Sequence, residues 1–395
     1  MIFQIIDDKK DCYGVYLNGE ILHTGVKDEF DKTWAYSDHL GDAQIDLAQL
    51  YCGGKTLTAA CPEHLKDRFV ARRDKLKAFV NSFITAKVNL HDICFYDLVP
   101  SQHIKHYYDL KTEISEHVFE TYPRPKNYTF LHDTTVMCHE IAQNEVRLNR
   151  QLLKNFARDD FKAFHLAQKF WKRKAFVNYN IFGTKTGRLG LHEGSFPILN
   201  LKKSHRRAVL PKWDWFVELD YNGAEIRTLL ALSGQRQPKG DIHAWNVENV
   251  FNNEVSRDVA KKRLFSWLYN SQSNAIDSEY YDRKRVLNKF YENGHVQTPF
   301  GRCIESDDFH ALNYLLQSAS SDNCITQINK LHRFLRDKRS NVAFIIHDSV
   351  ILDLRHSERD LLPQIREIFT DTKLGQFKAN VKVGKNLGAM EKIEW

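Results

Sequence analysis

A chain of 395 residues that is 42% apolar and 12% aromatic can bury two or three cores of about 150 residues each, which excludes a disulfide-stapled mini-protein and a disordered chain. The formal charge of +7 admits a polyanionic partner and says no more. Seven scattered cysteines with no C-x-x-C pair read as reduced thiols, and neither a basic leader nor an 18-residue apolar run is present, so the expectation is a soluble, cytoplasmic protein (host cytoplasm for a viral chain) with no membrane partner.

Residues 1–95 begin with strand-like alternation around Asn18-Gly19, which predicts a hairpin over 15–21, and continue into a basic helix over 63–80. Segments 100–122 and 131–156 read as helices on either side of a Pro-Arg-Pro-Lys loop. Segment 160–176 reads as a basic helix with Phe161, Phe164 and Trp171 on one face. Membrane-surface and calmodulin-target readings of it stay open, but a helix that packs its rings and solvates its lysines is preferred. Charge is concentrated here: residues 150–212 hold 15 Lys and Arg against Asp159, Asp160 and Glu193, a net +12 that leaves the rest of the chain at −5.

Three constellations follow. Residues 216–219 form a short buried-type strand, Asn222 is placed to cap the next helix, and Ile226, Leu229 and Leu230 give that helix an apolar face; Asp220 therefore stands at a strand end, where a lone carboxylate is ordinarily a cap. His347-Asp348 lies between two apolar β-rich runs and predicts a hairpin that lifts a carboxylate onto a turn. His347, Asp348 and Ser349 make a poor hydrolytic triad, because adjacent strand residues point to opposite faces. Taken together, however, two carboxylates at the ends of core strands suit a two-metal phosphoryl-transfer site, and Mg²⁺ needs only one or two protein carboxylates. Finally, Arg257, Lys261, Phe265 and Tyr269 recur every four residues as one stripe of two cations and two rings, opposite Val259, Leu264, Trp267 and Leu268. Such a stripe suits a nucleotide.

The order Thr186-Gly187-Arg188-Leu189, Asp220-Tyr221 with Glu225 and Arg227, Asp241-Ile242-His243, the 257–269 stripe, Thr298 to Gly301-Arg302, Asn313 with Gln317, and His347-Asp348 resembles the family A DNA polymerases over about 186–354. Segment 141–149 weakly resembles the helix and turn that lead into that family's thumb. The resemblance implies an α+β right-hand fold: an antiparallel palm sheet over 178–240 and 298–395, helical fingers over 241–297, a helical region with a reduced thumb over 96–177, and a small α/β N-terminal domain over 1–95.

It also implies roles. Asp220 and Asp348 would hold two Mg²⁺, for which Mn²⁺ substitutes, with the Tyr221 carbonyl as a further ligand. Lys261 and Arg257 would bind the triphosphate, Lys261 would protonate the leaving pyrophosphate, and His243 would touch the same phosphates. Phe265 would face the sugar and Tyr269 would stack beside the template. Glu225 would be the steric gate against a ribose 2′-hydroxyl. Arg188, Asn313 and Gln317 would read minor-groove acceptors. Lys172, Arg173, Lys174, Lys202, Lys203, Arg206 and Arg207 would grip the duplex in place of a full thumb, since only 36 residues separate Asn149 from Thr186.

The chain departs from the pattern at Ser349, where the family has Glu, which puts metal affinity in doubt. Phe309 in place of Arg weakens the expected hold on the primer terminus. Asn222, Gly223, Ala224, Ser266 and Asn270 also differ. No Asp-x-Glu pair precedes Asp277, so the proofreading exonuclease signature is missing. The expected function is primer extension with dNTPs on a DNA template without proofreading, in a compact phage-like form, with a separate exonuclease or a processivity or replisome protein as partner. A single-chain RNA polymerase and a catalytically degenerate DNA-binding replisome subunit are the alternatives.

Overall fold

Asn18 and Gly19, with φ of 46° and 94°, both take the left-handed turn conformation and join β2 (Cys12–Leu17) to β3 (Glu20–Leu22), beside β1 (Ile2–Ile6), in an antiparallel sheet of order β1-β2-β3. The computed structural model describes residues 1–7, 12–23, 48, 52, 55–90, 92–270, 273, 276 and 278–393; the remainder of the 1–95 segment, and Asp277, lie outside the described residues. The chain forms two units, Met1–Gln143 with Lys172–Lys174, and Asn144–Trp171 with Ala175–Trp395.

The first unit adds α1 (Leu57–Ala60), α2 (Glu63–Thr85), α3 (Ser101–Thr121) and α4 (Tyr128–Gln143). One face of α3 supplies Ile104 and Tyr108 to a cluster with Phe3, Ile5 and Tyr16, and another supplies Leu110, Ile114 and Val118 to a cluster with Leu65 and Phe69. Both clusters are apolar and buried, which is what fastens the sheet and α2 to this helix.

The second unit starts with β4 (Arg147–Leu148), α5 (Arg150–Phe156) and α6 (Phe161–Phe170), then β5 (Tyr179–Asn180), β6 (Gly190–Leu191) and β7 (Val209–Leu210). The single helix expected over 131–156 is thus broken into α4, β4 and α5. Residues Arg147 and Leu148 pair with Leu210 and Val209, and the Asn149 side chain accepts the Leu152 N–H at 2.9 Å, capping α5. The helix expected over 160–176 stops at Phe170, and its rings are not packed. Ala163, Leu166, Ala167 and Phe170 are buried, while Phe161, Phe164 and Trp171 are 76%, 48% and 40% exposed. This helix has two apolar faces, and the core takes the one made of two alanines, Leu166 and Phe170, whose ring meets Phe196 at 5.4 Å.

The central element is β8 (Trp215–Tyr221), followed by α7 (Ala224–Leu232), α8 (Ile242–Asn249), α9 (Arg257–Tyr269), α10 (Arg283–Phe290), β9 (Tyr291–Glu292), β10 (His295–Gln297), β11 (Cys303–Glu305) and the long α11 (Ala311–Leu335). The chain closes with β12 (Asn341–Ile346), β13 (Ser349–Leu354), α12 (Leu362–Thr370), β14 (Asp371–Thr372), β15 (Gly375–Gln376), β16 (Ala379–Gly384) and β17 (Glu391–Ile393). A five-stranded sheet of order β12-β13-β8-β16-β17 results, antiparallel at every pairing. Tyr221 stacks on Phe369 of α12 at 4.2 Å and donates its hydroxyl to the Phe369 carbonyl at 2.6 Å, so one face of the sheet is closed by a helix. A second core joins α7, α9, α10 and α11 through Leu229, Leu230, Leu264, Trp267, Val286 and Leu315. The protein is therefore a mixed α+β chain, and no helix among the described residues is long and apolar enough to cross a membrane.

Candidate active site at the end of the central sheet

Asp220 occupies the carboxyl end of β8, opposite Ser349 of β13 and Asn380 of β16. The β12–β13 turn is two residues long; His347 takes φ 53°, and the Ser349 hydroxyl donates to the Ile346 carbonyl at 2.8 Å to close it. That turn places Asp348 beside the residue paired with Asp220, so strand register brings together two residues 128 positions apart in the numbering.

Burial pushes the Asp220 carboxyl up to about 6, reinforced by the negative charges of Glu218 and Asp348 and opposed by Lys382 and Lys261. Asp348 is raised as well, first by burial, with Arg188 opposing and Glu225 adding to the rise. Its Oδ1 is shielded from solvent and has no hydrogen-bond partner among the described residues. Two carboxylates that resist ionisation, one with an orphaned oxygen, form a site whose charge deficit a divalent cation would fill. Among the described residues no three His, Cys, Asp or Glu side chains gather into a closed metal cage. Two carboxylates fit Mg²⁺, which retains water and substrate oxygens, better than a metal held only by protein.

Glu218 is a residue that sequence reading overlooked. It lies two positions before Asp220, hence on the same face of β8, and accepts from Lys382 of β16 at 2.5 Å. A charged residue interrupting an otherwise apolar strand was the available signal.

The reversal after β8 depends on Gly223, with φ 70°; a Cβ there would lie 2.6 Å from Ile242 Cγ2. Asn222 does not cap α7. Its side chain is drawn across the turn, donating to Asp241 Oδ2 at 2.7 Å and accepting the Ile242 N–H at 2.7 Å. Arg227, fully buried, donates to the carbonyls of Asn222, Pro238 and Gly240 at 2.8, 3.0 and 2.7 Å and so ties the loop before α8 to α7.

Glu225, 6% exposed, is held from two sides: Arg188 Nη2 donates to Oε1 at 2.5 Å and the Tyr269 hydroxyl donates to Oε2. Burial, then this carboxylate, drives the Tyr269 phenol far above its usual range. The α9 stripe is present as one surface. Phe265 and Tyr269 stack at 6.0 Å and 19°, His243 approaches Phe265 at 6.3 Å, and Ala260, Leu264, Trp267 and Leu268 are buried behind them; Val259, expected on the packed side, is 39% exposed. Arg257 is engaged by the cap of α8, with Nε and Nη2 donating to Asp241 Oδ1 and Oδ2 at 3.1 and 2.8 Å. Lys261 is exposed and has no ion-pair partner among the described residues. Burial pulls His243 down to about 4, with Lys261 and Arg257 adding to the fall and Asp241 opposing it, so near pH 7 the ring is neutral.

Asn313 and Gln317 sit one turn apart on α11, and Gln317 Nε2 donates to Asn313 Oδ1 at 2.7 Å. Further along α11, buried Asp322 accepts Arg302 Nε and Nη2 at 3.1 and 2.8 Å. The same guanidinium lies over Gly187, where a Cβ would be 2.3 Å from its Cζ. Nothing local in the sequence marks this pair, because its partners are 20 residues apart on different elements.

The basic residues fall in both units. Lys172, Arg173 and Lys174 belong to the first unit, whereas Lys202, Lys203, Arg206 and Arg207 belong to the second, where Lys202 pairs with Asp160 and Arg206 Nε donates to the Leu201 carbonyl at 3.3 Å.

No family model matches the chain. Across a 195-residue match that covers 37% of this chain, it is 26% identical to a DNA polymerase of Mycobacterium phage D29, and across a 195-residue match covering 38% of it, 25% identical to a DNA polymerase of Mycobacterium phage L5. Each match covers 32% of the relative, so about a third of the curated relatives' length is spanned. Among solved structures, the chain is similar to the POL domain of Pol1 from M. smegmatis in complex with DNA primer-template and dNTP, at 18% identity and a TM-score of 0.48, covering 60% of this chain and 52% of that one.

Proposed function

We propose that this chain is a template-directed DNA polymerase of the family A type, adding dNTPs to a primer 3′ end without proofreading. The observation that carries the reading is the convergence of Asp220 and Asp348 at one end of the central sheet, where Asp348 keeps a carboxylate oxygen unpartnered among the described residues and Lys261 acts on Asp220. The partial likeness to phage DNA polymerases supports it.

Asp220, Asp348 and the carbonyl of Tyr221 would hold two Mg²⁺, whose chemistry is to activate the attacking hydroxyl and stabilise the leaving oxygen. Because the Tyr221 side chain is committed to the Phe369 stack, the backbone is the part of that residue left for the site. Lys261, exposed, without an ion-pair partner among the described residues and close enough to act on the Asp220 charge, would take the triphosphate and hand a proton to the leaving pyrophosphate. Arg257 would exchange one anion, Asp241, for another, the phosphate, and neutral His243 would donate a hydrogen bond to it without adding charge.

Phe265 would face the sugar. Glu225, fixed by Arg188 and Tyr269, would fill the space of a 2′-hydroxyl, so rejection of ribonucleotides is a matter of a wall that cannot swing aside. Arg188, Asn313 and Gln317 would check base-pair geometry, and the cations at 172–174 and 202–207 would hold primer–template phosphates. In this reading the palm comprises 178–240 and 298–395, the fingers 241–297, and 96–177 the helical region with a reduced thumb. The 1–95 region would be a degenerate exonuclease remnant or a docking surface for a separate replisome protein.

Primer extension by Asp348→Ala is the test. Loss of extension with the fold intact by circular dichroism is expected, and normal extension overturns the site. Conversion of a mismatched 3′ end by the parent chain would overturn the absence of proofreading.

A further inference from the structure

The exposed rings of α6 lie on the helix away from its buried side. At 100° per residue, Ala163, Leu166, Ala167 and Phe170 centre on one direction, while Phe161, Phe164, His165 and Trp171 centre about 145° away, with Phe161 and His165 most nearly opposite. Trp171 keeps helical dihedrals of −62° and −47°, so it continues the same face. His165 meets Phe161 edge to face at 4.2 Å and 90°, and Phe164 at 5.8 Å and 74°. The two phenyl rings are thus separated rather than stacked on each other, which leaves them to stack on something else.

The flanks of this face are cationic. Lys162 and Lys169 are exposed on α6, and Lys154 of α5 sits 5.5 Å from the centre of the Trp171 ring. Of the two acids before the helix, Asp159 is exposed and Asp160 is spent on the N–H groups of Lys162 and Ala163 at 2.8 and 3.2 Å and on Lys202. An apolar protein partner would have to desolvate these lysines without compensation. A strand of unpaired nucleotides supplies both complements at once, bases for the rings and phosphates for the cations.

We propose that the outer face of α6 is a binding site for single-stranded nucleic acid, with bases stacked on Phe161, Phe164 and Trp171 and phosphates on Lys154, Lys162 and Lys169. The site is separate from the sheet-end carboxylates and does not require them to be catalytic.

The test is fluorescence anisotropy of the full chain with a labelled sixteen-nucleotide dT strand and with a blunt duplex of equal length, without dNTPs, across a salt series. Phe161→Ala/Phe164→Ala/Trp171→Ala is expected to weaken dT binding about tenfold or more, to leave the salt slope unchanged, and to alter duplex affinity less than about threefold. Lys162→Ala/Lys169→Ala should flatten the slope by roughly one to two. Phe161→Leu/Phe164→Leu, which keeps the apolar surface and the melting temperature, separates stacking from docking: it should also lose dT affinity. Unchanged dT affinity, equal loss on duplex, or full affinity in the Leu pair overturns the proposal. So does a result in which the rings are needed instead for binding phosphatidylserine vesicles or for concentration-dependent self-association in sedimentation. Because no nucleotide addition is read, failure here leaves the sheet-end reading standing.

Discussion

Helices α6 and α9 are built from the same ingredients, lysines alternating with aromatic rings over about three turns, yet they use them oppositely. On α9 Phe265 is partly buried, and Tyr269, though 43% exposed, is tied through its hydroxyl to buried Glu225 and so to Arg188; the packed side is Leu264, Trp267 and Leu268. On α6 Phe161, Phe164 and Trp171 are exposed, and the helix is seated on Ala163, Leu166, Ala167 and Phe170. The difference teaches that a ring joined to a buried hydrogen-bonded group is positioned, whereas a ring without one is available.

The contrast can be broken at several points. The largest effect belongs to the carboxylates that α9 faces: Asp348→Ala should reduce primer extension below detection in a gel assay. Lys261→Ala should lower the single-turnover rate of incorporation by about 10² to 10⁴ if it supplies the proton and charge assigned to it. Glu225→Ala, which frees Tyr269 and leaves Arg188 without its anion, should narrow dNTP over NTP selection roughly tenfold or more in competition assays, and unchanged selection would remove the gate.

Stability gives a finer test. The Asp220 carboxyl is held near 6, above its ordinary 3.8, so the folded chain binds that proton more tightly than the unfolded chain and ionisation costs stability as pH rises through this window. Asp220→Asn should therefore stabilise the fold by roughly 1–3 kcal/mol above about pH 6, with the gain gone below about pH 4, as read from urea melts. The smallest shift is expected on α6, where Phe161→Ala/Phe164→Ala should change unfolding free energy by no more than about 0.5 kcal/mol per site. A large loss there would mean that the rings are core after all.

Much of the sheet end was legible in the sequence because its signals are local. The apolar runs around His347-Asp348, the strand before Asp220 and the four-residue spacing of the stripe each sit within one element. What stayed hidden is held by distant partners. The break at Arg147–Leu148 exists because Val209–Leu210 pairs with it, and no periodicity within 131–156 announces that. Asn222 is a good cap by type but is recruited by Asp241 and Ile242, 19 and 20 residues away. Arg302 and Asp322 look like ordinary charges until the fold buries them together. The choice between the two apolar faces of α6 is likewise decided by what α5 and its surroundings offer, not by hydrophobicity.

The buried guanidinium of Arg227 has a consequence for what substitutions the chain can accept. Its planar fork reaches three carbonyls on two segments at once, a geometry that a lysine ammonium on its flexible stem cannot reproduce. Arg227→Lys, the exchange that keeps the charge and ranks as mild in any substitution table, would leave the carbonyls of Pro238 or Gly240 stranded and a poorly satisfied cation in the core. By that measure the tolerance of a position here follows the number of bonds its side chain closes and the separation of the pieces they join, so that one of the gentlest exchanges on paper becomes one of the harshest in the molecule.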